Sequence, residues 1–154
     1  MVLLIGEISK TQSKPAMKGY DSSFIENRIK WRAGQHNVPY ANTDFWHQAP
    51  EGIRKRLPDS FDNPVLFSQA SDGRVTVIGT HEVAILDEAS SPRFPLDDII
   101  DISSPNIAEA KQKTLFNEIS MMTPSGVVLL PTEDGKGGFA VWNLLLMLAR
   151  MRHK

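Results

Sequence analysis

Asp72–Ser104, DGRVTVIGTHEVAILDEASSPRFPLDDIIDISS, decides the fold class. Val75 and Val77 alternate with Arg74, Thr76 and Ile78, and Val83 and Ile85 alternate with Glu82, Ala84 and Leu86. A period of two puts successive side chains on opposite faces, so both runs read as strands with one strongly apolar face and one only partly apolar. Ser-Asp-Gly, Gly-Thr-His and Ser-Ser-Pro clusters divide the runs, and such residues make tight turns. The spacing predicts a meander of antiparallel strands.

Working outward, Val65–Ser68 reads as a strand before the meander and Ile99–Ser103 as one at its end. Asn106–Lys113 is polar and reads as a loop or a single helical turn. Thr114–Thr123 and Gly126–Glu133 flank Pro124-Ser125 and predict a second hairpin, giving about six strands. From Phe139 the chain is apolar nearly all round, which predicts a helix buried on more than one side or covering an oligomer interface. Arg150, Arg152, His153 and Lys154 follow, and cations suit the negative end of a helix.

Toward the N-terminus, Ser23 and Glu26 have the spacing of a capping box. Phe24, Ile25, Ile29 and Trp31 then recur near helical spacing up to Gly34, a stop signal, with Trp31 expected in the core and Arg28, Lys30 and Arg32 on the opposite face. Residues 35–49 are irregular and aromatic-rich, and residues 10–19 read as loop. A second short helix is expected from Pro50, at the first helical position, to Leu57. MVLLIGEISK has no basic segment before its apolar patch and reads as a short strand or ordered arm, not a signal peptide. The expected architecture is α+β: mostly antiparallel β closed by a C-terminal helix, with residues 1–63 as a basic, aromatic-rich helical extension and residues 64–154 as the β-rich domain.

The chain has 154 residues, 41% of them hydrophobic, which suffices for a core without disulfides or metals. It contains no cysteine, which excludes thiol catalysis and Cys-based zinc sites and fits a cytoplasmic setting. The longest apolar run, Phe139–Ala149, is too short to span a membrane. Net charge is −1 but uneven: residues 1–57 carry nine Lys/Arg against five Asp/Glu, residues 58–149 carry five against thirteen, and the last five residues add three basic ones. Such asymmetry points to docking of one part on the other or to a basic face for an acidic partner.

Catalytic signatures are weak. Asp97, Asp98 and Asp101 spell DDxxD, but magnesium binding by that motif needs a helix facing a cavity, and on a strand Asp98 faces away from the other two. His36 and His47 with Asp44 are the best metal set for a metal-dependent hydrolase, although no two histidines have ligand spacing on a helix. Gly135-Lys136-Gly137-Gly138 before a helix lacks the spacing of a phosphate-binding loop. No catalytic residue, metal ligand or cofactor is therefore assigned. Trp31, Tyr40, Phe45 and Trp46 with the basic run Arg54, Lys55 and Arg56 are the candidate partner-binding residues, since aromatics and Arg dominate interface hot spots.

Gly73–Ile78, the strand Glu82–Asp87 and Phe94-Pro95-Leu96-Asp97-Asp98-Ile99 resemble the bacterial pleckstrin-homology-like (PH/GRAM-like) domains, over roughly residues 64–154. The resemblance implies two bent antiparallel sheets, or a partial barrel, closed by a C-terminal helix, and a binding scaffold rather than an enzyme. Family members that bind phosphoinositides use Lys/Arg in the first inter-strand loop, and here residues 69–74 hold only Arg74 beside Asp72. The leading expectation is a non-catalytic protein–protein recognition module. Alternatives are a small bacterial immunity or inhibitor protein using Asp97, Asp98, Asp101 and Glu118 against a basic surface, and a binder of anionic lipid or nucleic acid through the basic N-terminal face. Homo-oligomerisation through Leu144, Leu145 and Leu148 is a further expectation, should those leucines not be buried within one chain.

Overall fold

The computed structural model describes residues 17–103 and 117–152. The expected N-terminal arm at 1–10, the segment 106–113, residues 114–116 of the expected hairpin, and His153 and Lys154 lie outside the described residues. The architecture is α+β, built on two antiparallel sheets that do not close into a barrel. The five-stranded sheet runs in the order β1 (Thr43–Phe45), β2 (Pro64–Gln69), β3 (Val75–Gly79), β4 (Glu82–Leu86) and β5 (Arg93–Pro95). The three-stranded sheet is β6 (Asp101–Ser103), β7 (Glu118–Thr123) and β8 (Gly126–Pro131). Helix α1 (Ser22–Gln35) and helix α3 (Lys136–Arg152) pack together, and a short helix α2 (Glu51–Arg54) lies between β1 and β2.

The meander is present, but its central strand differs from a one-sided strand. All five residues of β3 are buried. Ile78 joins Val83, Ile85, Leu96, Ile99 and the helices in a main core, whereas Val75 and Val77 join Ala84, Leu86 and Phe67 in a second cluster on the other face. Ala49, Ile53 and Phe61, with Trp46 and Leu57 packed against them, cover that second face. The alternation in β3 therefore separates two cores, because residues 46–61 wrap the side a one-sided sheet would leave wet. In β2 the register shifts between Pro64 and Leu66, and Val65 and Leu66 both reach the main core; a bulge breaks the period of two in this way.

Two strands were not expected. β1 arises in the aromatic segment and pairs Thr43 with Ser68 and Phe45 with Leu66, so residues before 64 belong to the same sheet. β5 pairs Val83 with Phe94. The motif 97–101 is not one strand: Leu96–Asp98 is a 3-10 turn and only Asp101 enters β6. Asp97 accepts a bond from the Lys18 amide, and its backbone carbonyl accepts one from Arg152 Nε, so this turn anchors the approach to α1 and the end of α3.

The helix boundaries correct several expectations. α1 has Asp21 at its N-cap with no side-chain capping bond. The Ser23/Glu26 capping box does not form; Glu26 instead pairs with Lys30 at 2.7 Å and accepts from Asn63 Nδ2 at 2.8 Å. The helix runs one residue past Gly34. Pro50 is the N-cap of α2 rather than its first helical residue, and the chain continues to Leu57 as tight turns. α3 starts three residues before Phe139, so Gly137 and Gly138 lie in its first turn. Leu144, Leu145 and Leu148 are fully buried within one chain and offer no surface to a second copy.

Candidate interaction surface

Helix α1 owes its orientation to one stripe. Ile25, Ile29 and Ala33 recur every fourth residue and are completely buried, each Ile contributing about 1.5–3 kcal/mol. That stripe leaves Phe24, Arg28 and Trp31, at spacings of four and three, on the flank toward α3. Trp31 is 49% exposed and Phe24 46%, so Trp31 is not in the core as its apolarity suggested. The Arg28 guanidinium lies 4.4 Å from the Trp31 ring centre, with Nη2 3.9 Å from Met147 Sδ on α3. Phe24 stacks on Tyr20, ring centres 5.5 Å apart and planes 7° from parallel, and the Tyr20 hydroxyl reaches the Met151 carbonyl at 3.4 Å. Tyr20, Phe24, Arg28 and Trp31 thus form a ridge along the seam between the two helices.

The charge of the two helices is one-sided, while Asp21, just before α1, borders a small pocket with Tyr20 and Phe24 at the start of the ridge. α1 contributes Arg28, Lys30 and Arg32 against Glu26, and α3 contributes Lys136, Arg150 and Arg152 with no acid. The bonds from Lys30, and secondly from Asn63, hold the Glu26 carboxyl below the usual glutamate range. A shallow cavity of about 360 Å³ continues the surface at the far end of the seam, lined by Gln35, His36, Tyr40, Lys136 and Phe139 among others.

Apart from Tyr40, which lines that cavity, the other sequence-derived candidates lie elsewhere. Tyr40 donates to the His36 carbonyl at 2.5 Å, and it and Phe45 pack on the main core. Trp46 meets Phe67 edge-on at 6.4 Å on the opposite side of the sheet. Arg54 and Lys55 are exposed, and Lys55 pairs with Glu51 at 3.5 Å. Arg56 is half-buried and donates to the carbonyls of Gly73 at 3.0 Å and Leu86 at 2.9 Å, tying two turns together. The candidates are therefore not one surface. Trp31 joins the α1–α3 ridge, and Phe24 and Arg28, which the sequence reading placed in an apolar repeat and on a solvated face, join it too. The available signal was that Ile25, Ile29 and Ala33 already complete a core stripe, leaving the aromatics beside it without a place inside.

Arg56, Asp72, Arg74, Asp87 and Glu88 border an open concavity of about 1040 Å³ between the β2–β3 and β4–β5 turns. Its cations hold the turns: Arg74 pairs with Asp72 at 2.9 Å, and the bond from the Arg74 amide lowers the Asp72 carboxyl. Among the described residues no three His, Asp or Glu side chains come together as a metal site, so His36, Asp44 and His47 are not assembled into one. No described helix is long and apolar enough to cross a membrane. No family model, curated protein or solved structure matches the chain.

Proposed function

We propose that this protein is a non-catalytic recognition module that binds another protein through the α1–α3 face. The observation that carries the reading is the exposed Phe24–Arg28–Trp31 ridge, with Trp31 held under a guanidinium. Trp, Tyr and Arg are the residues that anchor interfaces, and a side chain already fixed in place loses little entropy on binding. The six Lys/Arg and single acid of these helices favour a partner with an acidic rim around an apolar pocket. The PH-like reading of residues 64–154 is kept as part of this proposal, supported by two antiparallel sheets followed by a helix.

The test is affinity purification from native extract with wild-type protein, the Phe24→Ser/Trp31→Ser variant and the Arg54→Ala/Lys55→Ala variant. A partner retained by wild type and by the second variant but lost by the first is the expected result. Partner recovery indifferent to Phe24 and Trp31 refutes the assignment. Steep salt-sensitive binding to anionic vesicles or oligonucleotides, lost in the ridge variant, would move the surface to the lipid or nucleic-acid class.

A further inference from the structure

Among the described residues the two sheets have four edges, and three of them are blunted. β1, β5 and β6 are three residues long, and they carry Asp44, Arg93 with Pro95, and Asp101. Short edges with charges or proline discourage pairing with another chain. β8 is the exception. It has six residues, no charge, its one proline only at the last position, and an unbroken register with β7 from Pro131 to Gly126.

Its outward side chains are exposed: Val127 at 56% and Leu129 at 46%, with Met122 of β7 directly opposite Val127 and 41% exposed. Ile100 donates its amide to the Met122 carbonyl, and Asp101 stands opposite Met122 on the same face. The same bond sets the phase of the ladder. Met122 directs its backbone groups toward the β6 side, so Met122–Val127 and Ser120–Leu129 are non-hydrogen-bonded pairs. Val127 and Leu129 therefore turn their own N–H and C=O groups to the open edge.

We infer that β8 pairs antiparallel with β8 of a second copy of this chain, across a twofold axis at Val128. Directly opposed residues in such a pair share a face. With the axis at Val128, each Val127 meets the partner copy's Leu129, both on the exposed face and both with outward backbone groups, so each pair exchanges its two N–H···O=C bonds. Moving the axis to lie between Val128 and Leu129 would oppose exposed Val127 to buried Leu130 and is excluded by the pleat. Moving it to Leu129 would engage Pro131, which has no N–H and whose carbonyl already takes the Thr76 hydroxyl at 2.6 Å. The seam is self-complementary, as a twofold interface requires, and brings no charged side chain of β8 against its copy. The pairing joins two three-stranded sheets into one continuous sheet and sets Val127 and Leu129 of the two copies side by side on one face, with Met122 one strand further from the seam.

Sedimentation from roughly 1 to roughly 500 µM tests this, the range in which a small interface is read. Wild-type protein is expected to pass from monomer to dimer, with slowed amide exchange at Val127 and Leu129 as concentration rises. Leu129→Pro removes an outward N–H without removing a β7–β8 bond, and Val127→Lys places a charge in the seam. Each is expected to weaken the dimer by ~100-fold or more while the far-UV circular dichroism is unchanged. Trp31→Ser is expected to leave it intact. A monomer throughout the range overturns the proposal, as does a dimer that persists in both edge variants, a dimer lost in Trp31→Ser, or exchange at Val127 and Leu129 that ignores concentration.

Discussion

Gly137→Ala sets two effects against each other whose balance the structure decides. A Cβ at position 137 would stand 2.5 Å from Glu133 Oε1 and 2.7 Å from Thr43 Oγ1. Neither oxygen is free to move. Glu133 Oε1 accepts from the Asn42 amide at 3.0 Å and from Thr43 Oγ1 at 2.7 Å. Thr43 Oγ1 lies 2.8 Å from Ser68 Oγ, which in turn accepts from the Glu133 amide at 2.9 Å. This node locks the start of α3 onto β1 and β2. Relieving the clash swings Glu133 away and gives up two bonds to a charged acceptor. Glu133 is half-buried, so the low end of the range applies, about 3 kcal/mol for the pair.

Against that loss, alanine in place of glycine in a helix gains at most about 1 kcal/mol. The expected net effect is a destabilisation of about 2 kcal/mol, a fall in Tm of about 4–8 °C for a chain of this size. Thermal unfolding followed by circular dichroism reads the shift. The double-mutant cycle with Glu133→Ala isolates its cause: once the carboxylate is gone, Gly137→Ala is expected to cost at least about 1 kcal/mol less. A Gly137→Ala protein as stable as wild type, or costs that simply add, would refute the reasoning by showing that helix propensity outweighs the node.

Acidification probes an anchor of α1. Glu26 has a lowered pKa in the folded state, so its contribution is complete above the ordinary glutamate range and is lost as pH falls through the folded value. Unfolding free energy measured against pH is expected to drop more gently in Glu26→Gln than in wild type on the acid side, with Asp72 keeping some of the slope; superimposable acid limbs would count against it. Arg56→Met removes the two carbonyl bonds to Gly73 and Leu86, and urea unfolding is expected to show a loss of about 1–3 kcal/mol with unchanged m. Arg54→Met, at an exposed neighbour, is expected to stay within about 0.5 kcal/mol, and equal losses for the two would show that Arg56 holds nothing.

The strands of the meander were legible because their period of two is a local property. Val75/Val77 and Val83/Ile85 alternate whatever they pack against. β1 was not legible: Thr43-Asp44-Phe45 is too short to show a period, and it is a strand because β2 offers it an edge. The capping box failed for a related reason. The spacing of Ser23 and Glu26 permitted it, but the helix starts before Ser23, with Asp21 at its N-cap, and Glu26 bonds to Lys30 and Asn63 instead. Trp31 illustrates the limit for the site, since helical spacing puts it on the same helix as Ile25 and Ile29 without saying on which flank the neighbouring helix lies.

By itself, the chain determines a mostly antiparallel α+β protein with a C-terminal helix, a charge divided between its ends and no cysteine chemistry. Those follow from periodicity, turn residues and composition, which act over a few residues and need no partner. The tertiary structure alone decides which aromatics are structural and which are presented. Tyr40 and Phe45 pack against the main core and Trp46 against the second cluster, while Phe24 and Trp31 stay outside because Ile25, Ile29 and Ala33 already fill the space beneath α1. It also leaves β8 as the one long uncharged edge among the described strands, a property of strand order. Burial and edge position are relations between distant segments, and no local pattern encodes them.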